Sequence, residues 1–199
     1  MIYPRPLNEL INYYKKLPGI GEKNAERLAL ATLNFSDEDI DGFSQSIKKI
    51  KSSLNKCKIC GFLTEGEICP ICANKARNQN LICVTEDYKS VISFEKAGSY
   101  NGVYHVLNGL ISPTEGIGPE NINLQSLIKR VEKLKNPELI LALKSTVEGE
   151  TTTLYIKKIL ENKNIKISRL SYGIPMGVEI DYLDILTLEK ALADRKSIS

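Results

Sequence analysis

The sequence CKICGFLTEGEICPIC at residues 57–72 separates two parts of the chain that differ in character, and it contains two Cys-x-x-Cys knuckles eight residues apart. Four thiolates at this spacing can converge on one ion in a closed tetrahedral site, and no fifth ligand stands nearby. A segment this short lacks a hydrophobic core of its own, so a bound metal would supply its stability. We therefore predict one structural zinc ion per chain, with disulfides or an iron–sulfur cluster as the alternatives. The predicted ligands are Cys57, Cys60, Cys69 and Cys72.

The residues before the knuckles predict a small helical unit. Apolar residues recur at helical spacing over residues 7–14, again from about 22 to 33, and a third time after Ser36, which resembles a capping residue. The inner face of the second helix is predicted to carry Ala25, Leu28, Ala29 and Leu33.

The first two helices are joined by LPGIGEK at residues 17–23. Two glycines permit a tight turn and a close approach of the backbone, so the amides that open the second helix can face a phosphate. Two cations four residues apart share a helix face and add charge to the same phosphate run. The pattern matches the helix-hairpin-helix signature of proteins that bind DNA without reading its sequence; a plain helical hairpin is the alternative. The predicted DNA-binding residues are Gly19, Gly21, Lys23 and Arg27.

The charge of the chain is distributed unevenly. The net charge is +3; residues 1–78 contain 12 Lys and Arg against 9 Asp and Glu, while residues 79–199 contain 15 of each. The surplus of positive charge therefore lies beside the hairpin. This agrees with phosphate contact, although a solvated surface without a partner would look the same.

After the knuckles, strands and helices alternate, which predicts a mainly parallel sheet. Strands are expected at residues 81–85, 103–107, 139–143 and 165–170, and helices at 87–97, 123–135, 152–161 and 187–193. Acids follow the first and third of these strands, where functional groups of parallel sheets gather. This arrangement resembles the Toprim domain of topoisomerases and primases. The acids are Glu86, Glu148 and Glu150.

A catalytic Toprim site needs a carboxylate on the first strand and an Asp-x-Asp pair on a later one to hold Mg²⁺. The second position reads Lys144-Ser145-Thr146, and a lysine there opposes binding of a cation. The acids would instead form a weak Mg²⁺ site or an acidic surface for a basic partner. Cys83 is interpreted as a small buried side chain and His105 as a packed or surface residue. No phosphate-binding G-x-x-x-x-G-K-[ST] motif occurs.

Taken in order, these motifs resemble the RecR family of bacterial recombination mediators. The landmarks are the hairpin, the four-cysteine finger, ICVTED at 82–87, GLISPTEGIGP at 109–119, TVEGE at 146–150 and YGIPMG at 172–177. The chain departs from the family at Lys144, where Asn is usual, and at Gly177-Val178, where a Gly-Gly pair is usual. Residues 172–184 resemble the family's Walker-B-like segment, which we interpret as structural or interfacial.

The resemblance implies a non-enzymatic role in recombinational DNA repair. Members of the family form ring-like homo-oligomers, commonly tetramers, that encircle or clamp DNA, and their N-terminal helical units and C-terminal segments make the ring contacts. They act with RecO, and in many bacteria with RecF, to help RecA replace single-strand-binding protein at gaps. A chain with no long apolar stretch and no signal-like N-terminus is expected to remain in the cytoplasm, associated with the nucleoid.

The expected fold class is α/β with four parts. These are a helix-hairpin-helix unit at residues 1–55, a zinc finger with four cysteine ligands at 56–78, a Toprim domain at 79–170 and a C-terminal segment with a Walker-B-like stretch and a helix at 171–199. Two alternative functions stay open. One is a Toprim nuclease or topoisomerase-like enzyme that uses the three acids with Mg²⁺, and the other is a zinc-dependent scaffold that binds only proteins.

Overall fold

The computed structural model of the protein describes residues 2–171, 174 and 176–195, and they form two compact units. The first unit ends at Leu54 and the second begins at Asn55. Part of the predicted Walker-B-like segment, namely Tyr172, Gly173 and Pro175, lies outside the described residues.

The first unit is helical, as predicted. It contains α1 (Arg5–Tyr14), α2 (Glu22–Thr32) and α3 (Asp37–Ser53). The hydroxyl of Ser36 accepts a hydrogen bond from the amide of Asp39 at 3.1 Å and caps α3, which is the role that its position predicted.

The core of the first unit is small and lies between α1 and α2. Ile11, Ala25 and Ala29 are buried there, and the two alanines allow the helices to approach closely. The prediction that Leu33 belongs to this inner face is wrong, because α2 ends at Thr32 and the Leu33 side chain is 69% exposed.

The apolar stripe of α3 is exposed, and no residue of this helix is buried. The stripe consists of Ile40, Phe43, Ile47 and Ile50. Helical spacing therefore predicted the helix correctly, but within the described part of the chain this stripe does not form a buried core.

The second unit contains a parallel four-stranded sheet and a small two-stranded one. Its elements are β1 (Asn55–Lys56), β2 (Leu63–Thr64), α4 (Pro70–Ala73), β3 (Asn78–Thr85), α5 (Tyr88–Ala97), β4 (Gly102–Val106), α6 (Leu124–Val131), β5 (Glu138–Ala142), α7 (Val147–Leu160), β6 (Lys166–Arg169) and α8 (Ile185–Ala193). β1 and β2 pair antiparallel, while the larger sheet has the order β4-β3-β5-β6 with parallel neighbours. The mainly parallel α/β fold is thus confirmed.

Alternating side chains of β3 serve the two faces of this sheet. Ile82 and Val84 pack with residues of α6 and α7 on one face, whereas Cys83 packs with Val91 of α5 and with Tyr104 on the other. Burial on both faces explains why the strand is a continuous apolar run in the sequence.

Two helix boundaries differ from the predictions. α7 begins at Val147, not at residue 152, because Thr146 caps it by accepting a hydrogen bond from the amide of Gly149 at 3.3 Å. α6 ends at Val131, not at residue 135; the amides of Lys133 and Leu134 bond to carbonyls three residues back, which tightens the chain before Pro137.

The C-terminal helix begins two residues earlier than predicted. Asp184 caps α8 by accepting a hydrogen bond from the amide of Thr187 at 2.9 Å, so the helix starts at Ile185. A short 3-10 turn at Ile180–Tyr182 precedes it. None of the described helices is both long and apolar enough to cross a bilayer.

Candidate nucleic-acid interface and metal centre

The turn between α1 and α2 is built around two glycines. Gly19 has a φ of +79°, a conformation that favours glycine, and the amide of Ile20 donates to the carbonyl of Leu17 at 3.1 Å to close the turn. Gly21 is the N-cap residue of α2 and has an extended backbone. A Cβ atom at either glycine would meet nothing within 4 Å. The outer surface of the turn is therefore open to an approaching molecule.

The N-terminus of α2 has no side-chain cap. Its first amides, which carry the positive end of the helix dipole, lack the partner that a capping hydroxyl or carboxylate would provide. Glu22 lies in this first turn, and its carboxylate is paired with the ammonium of Lys15 at 2.5 Å. The pair offsets a negative charge that would otherwise oppose an anion at the helix end.

Lys23 and Arg27 lie one turn apart on α2. Both are outside the core of the unit, and they face away from the buried Ala25 and Ala29. Neither forms an ion pair or a side-chain hydrogen bond within the described part of the chain. The hairpin residues singled out in the sequence thus lie along the turn and the first half of α2, where two unpaired cations accompany an uncapped amide terminus.

The four knuckle cysteines converge in the second unit. Their sulfur atoms lie within 4.8 Å of one another, and Cys60 Sγ is 3.6 Å from Cys69 Sγ. Tetrahedral zinc with Zn–S bonds of about 2.3 Å separates its sulfurs by about 3.8 Å, so this spacing fits the ion. Cys57, Cys60 and Cys69 are buried and Cys72 is partly buried, as a closed structural site requires.

Backbone amides support the sulfurs. The amide of Cys69 donates to Cys57 Sγ at 3.3 Å, that of Cys72 to Cys69 Sγ at 3.4 Å, and that of Phe62 to Cys60 Sγ at 3.5 Å. Such hydrogen bonds favour thiolates and orient metal ligands. The cysteine cluster therefore fits the donor set of a zinc finger.

The cysteines of the cluster differ in pKa. The pKa of Cys69 is lowered to about 2, because the thiols of Cys60 and Cys72 donate hydrogen bonds to its sulfur. The pKa of Cys60 is raised, because its proton is held in the bond to Cys69 and because the group is buried. A divalent cation would let all four sulfurs carry charge together.

The acids predicted at the sheet edge do not meet at one point. β3 and β5 are neighbours with Thr85 opposite Ala142, so Glu86 and Lys144 follow at the same edge. The Lys144 ammonium donates to the Glu86 carboxylate at 2.8 Å, and this hydrogen bond raises the pKa of Lys144. The lysine thus occupies the space beside Glu86 where a metal ion would need to bind.

Glu148 and Glu150 lie in the first turn of α7 and not in a loop after the strand, which corrects the position inferred from the sequence. The pKa of Glu148 is lowered because its own amide and the Thr146 hydroxyl donate hydrogen bonds to it. Glu150 lies 3.4 Å from Arg169 and 3.9 Å from Lys190.

Arg169 and Lys190 were not singled out in the sequence. Only the position of Arg169 at the end of a strand indicated that it would reach this edge. Among the described residues, the one group of three or more potential metal ligands is the cysteine cluster.

The two remaining candidates are interior residues. Cys83 is 1% exposed, and burial raises its pKa to about 12, as expected of an unreactive thiol. His105 is buried, with Nε2 2.8 Å from the carbonyl oxygen of Asn123.

Four family models match the chain in the order of these features. They are the RecR helix-hairpin-helix at residues 7–51, the RecR four-cysteine zinc finger domain at 54–74, a Toprim domain at 80–171 and the RecR C-terminal region at 173–196. The match to the zinc finger model and the geometry of the cysteines together indicate one structural zinc ion, as predicted.

Relatives named recombination protein RecR align along almost the whole chain. The relative from Lactobacillus acidophilus is 46% identical over 199 residues and that from Lactobacillus helveticus 45% over 199 residues, with all of both chains covered in each case. A relative from Staphylococcus aureus is 46% identical over 195 residues, which is 98% of each chain.

Proposed function

Because the chain belongs to the RecR family of recombination proteins, we propose that it is a DNA-binding recombination mediator in recombinational DNA repair. The observation that carries this proposal is the hairpin, where the open glycine turn and the uncapped start of α2 accompany two unpaired cations. The role needs no turnover chemistry, since holding DNA in place is sufficient.

In the proposed contact, amides at the start of α2 bind one phosphate, and Lys23 and Arg27 bind its neighbours. Gly21 supports this interpretation, because neither its φ of −81° nor any neighbouring atom requires glycine there. A glycine at this open N-cap position permits a close approach of a phosphate from outside the unit. Backbone and phosphate contacts carry no sequence information, so the protein would bind DNA of any sequence.

We propose that the Toprim domain is not catalytic. Lys144-Ser145-Thr146 supplies no carboxylate at the second metal-binding position, and the Lys144 ammonium already neutralises Glu86. A Mg²⁺ ion would have to displace this lysine. Phosphodiester hydrolysis in a Toprim site depends on such a metal, so the acids are better suited to binding a basic partner.

In this proposal Glu86, Glu148 and Glu150 contact RecO, with RecF as a further partner, so that RecA is loaded at single-stranded gaps. Basic groups of the partner would have to compete with Lys144 for Glu86 and with Arg169 and Lys190 for Glu150. The proposed working division of the chain is a DNA-binding unit at 1–55, the finger at 56–78, the Toprim domain at 79–170 and a C-terminal segment at 171–199. A protein of this kind acts in the cytoplasm, at the nucleoid.

We further propose that the chain forms a ring-like homo-oligomer, most simply a tetramer, that clamps DNA. The apolar stripe of α3 supports this, since four large side chains on one helix face favour burial against another surface. In a ring, several hairpins would hold one DNA molecule, so each could be weak on its own.

Two measurements on the purified protein test the proposal. Fluorescence anisotropy with a gapped duplex should give a Kd that rises steeply with the salt concentration, because the protein displaces counterions from the phosphates that it binds. DNA binding that is absent at every salt concentration would favour a scaffold that binds only proteins.

In the second measurement, the purified protein is incubated with supercoiled plasmid and Mg²⁺, and nicking of the plasmid is followed. We expect no nicking, and Glu86→Ala serves as the matched variant. If the wild type nicked the plasmid and Glu86→Ala did not, the protein would be a Toprim enzyme.

A further inference from the structure

A groove in the second unit is lined by cations. It lies between the first zinc knuckle and α6, has a volume of about 360 Å³ and contains no acidic side chain in its lining. We propose that this groove is a second phosphate-binding surface for nucleic acid, separate from the hairpin; this inference rests on the proposed DNA-binding function. The residues that carry it are Lys58, Ile59, Lys129, Arg130 and Lys133.

The knuckle side of the groove is held in place by the metal site and by the sheet. Lys58 and Ile59 stand between two zinc ligands, and the carbonyl of Cys60 accepts a hydrogen bond from the amide of Val106 at 2.7 Å. Zinc coordination and the bond to β4 therefore hold the backbone at Lys58 in place, while its exposed side chain remains free to move within the groove.

The knuckle also packs closely against the residue that precedes α6. Gly61 has a φ of +76°, and a Cβ atom there would lie 2.8 Å from Asn123 Nδ2 and 2.9 Å from the carbonyl oxygen of Val106. Asn123 is the N-cap residue of α6. The knuckle and the start of the helix are thus joined without intervening space, so the groove exists before any ligand binds.

The helix side offers cations with few other contacts. Lys129 and Lys133 lie four residues apart, and neither has an ion pair or side-chain hydrogen bond within the described part of the chain. Arg130 donates to the carbonyl of Tyr104 at 2.7 Å, which orients its guanidinium and leaves further N–H donors. An oriented arginine beside two free lysines suits the charge and the oxygens of phosphate.

Lys58 is the one groove cation with an acidic partner among the described residues, the carboxylate of Glu67. Both side chains are more than 60% exposed, so this ion pair contributes little and a phosphate can compete with it. Glu132 lies near α6 in sequence but pairs with Lys163 and does not line the groove.

The chemistry of the lining favours a polyanion over a small metabolite. Four of the eight residues that line this groove are cations and none is acidic, so the groove favours a ligand that carries several negative charges. Nucleic acid is favoured over an acidic peptide because the same chain has a hairpin suited to phosphate. A second contact on the same molecule raises the overall affinity when one DNA molecule reaches both.

The test compares DNA binding by zinc-loaded full-length variants. Lys129→Ala/Lys133→Ala removes two groove charges, and Lys157→Ala/Lys158→Ala removes two exposed charges from the end of α7, outside the groove. Lys129→Arg/Lys133→Arg keeps the groove charge, and Lys23→Ala/Arg27→Ala reports on the hairpin. Anisotropy of a labelled gapped duplex is recorded over a series of salt concentrations, with circular dichroism and zinc content as controls of folding.

We expect the groove variant to bind DNA more weakly than the wild type. The slope of log Kd against the logarithm of the salt concentration should be smaller by about one for each lysine removed. The arginine variant and the α7 variant should match the wild type. If the groove variant also matches the wild type while the hairpin variant loses DNA, the groove is not a DNA contact and the proposed function stands.

Two further outcomes overturn the inference in other ways. If the wild type binds no DNA, the proposed function fails and the groove inference fails with it. If the groove variant keeps DNA but loses binding of poly-glutamate, the groove serves an acidic protein segment.

Discussion

His105 lies inside the second unit with its two ring nitrogens in different positions. Nε2 is 2.8 Å from the carbonyl oxygen of Asn123, and since a carbonyl only accepts, Nε2 must carry the proton. Nδ1 is buried and lacks a partner among the described residues. Burial lowers the pKa of His105 to about 4, because a second proton would have to reside on Nδ1 without an acceptor, and nearby Arg130 also disfavours it.

We predict that His105 lowers the free energy of unfolding at acidic pH. The unfolded chain binds a proton at His105 near pH 6.5 and the folded chain only near pH 4, so stability is present above 6.5 and is lost as pH falls through this window. The loss amounts to about 3 kcal/mol. Urea unfolding of wild type and His105→Gln between pH 7 and 4 should show this extra loss in the wild type alone. Parallel curves for the two proteins would contradict the prediction.

Gly149 illustrates a glycine required by packing. A Cβ atom there would lie 1.9 Å from the carbonyl oxygen of Lys144, so Gly149→Ala must shift the start of α7. We expect Gly149→Ala to lower the free energy of unfolding by about 1–3 kcal/mol. The control is Gly42→Ala in α3, where nothing lies within 4 Å and the change should add about 0.5–1 kcal/mol. Similar effects of both substitutions in chemical denaturation would refute the packing argument.

At the scale of elements, the zinc finger depends for its stability on the bound metal and on the rest of the second unit. β1 and β2 have two residues each and α4 has four, so metal coordination and the contact with β4 must hold the finger together. The same elements bring Lys58 to the basic groove. Loss of zinc should therefore affect both stability and the groove.

We predict that Cys57→Ser/Cys60→Ser binds no zinc and unfolds several degrees below the wild type, because structural zinc contributes folding free energy directly. Cys83→Ala is the matched control, since Cys83 is buried in β3 away from the cluster and should leave one zinc per chain. Metal analysis and thermal unfolding measure the two effects. An unchanged melting temperature in the double variant would show that the finger does not depend on the ion.

The elements that the sequence predicts well are those specified by neighbouring residues. The cysteine knuckles, the glycine turn before α2 and the Ser36 cap depend on residues a few positions apart, and the structure confirms these elements. The start of α7 was predicted five residues too late, because Thr146 caps the helix and α7 begins at Val147.

Contacts between residues far apart in the chain could not be predicted from the sequence. Lys144 and Glu86 are 58 residues apart, and the sequence indicated only that a lysine would disfavour a metal, not which carboxylate it pairs with. Similarly, helical spacing predicted α3 without showing that its apolar stripe is exposed in the described part of the chain. The basic groove combines residues from the knuckle and from α6, which lie far apart in the chain.

At the scale of the whole molecule, an isolated chain leaves apolar surface uncovered. Phe35 contacts Phe43 with ring centroids 6.5 Å apart, yet both stay partly exposed, as do Ile47 and Ile50 farther along α3. Burial of these groups against a second copy would remove them from water, at roughly 25 cal/mol per Å² of apolar area. An exposed apolar surface of this kind favours association with a second copy of the chain.

We predict that Ile47→Lys lowers the oligomeric mass measured by light scattering, because a charge on the stripe cannot be buried without a partner. Gln45→Lys adds the same charge about half a turn away on α3 and should leave the mass unchanged. If both variants keep the mass of the wild type, α3 does not form an interface.

We propose above that an oligomer of this protein holds DNA through its hairpins. The most direct test is light scattering and DNA binding on the same samples of wild type and Lys23→Ala/Arg27→Ala. Both side chains lie outside the core and are unpaired among the described residues, so we expect the variant to keep its circular dichroism and its mass and to lose salt-sensitive DNA binding. Equal DNA binding by the two proteins would contradict the account, since the hairpin would then be only structural.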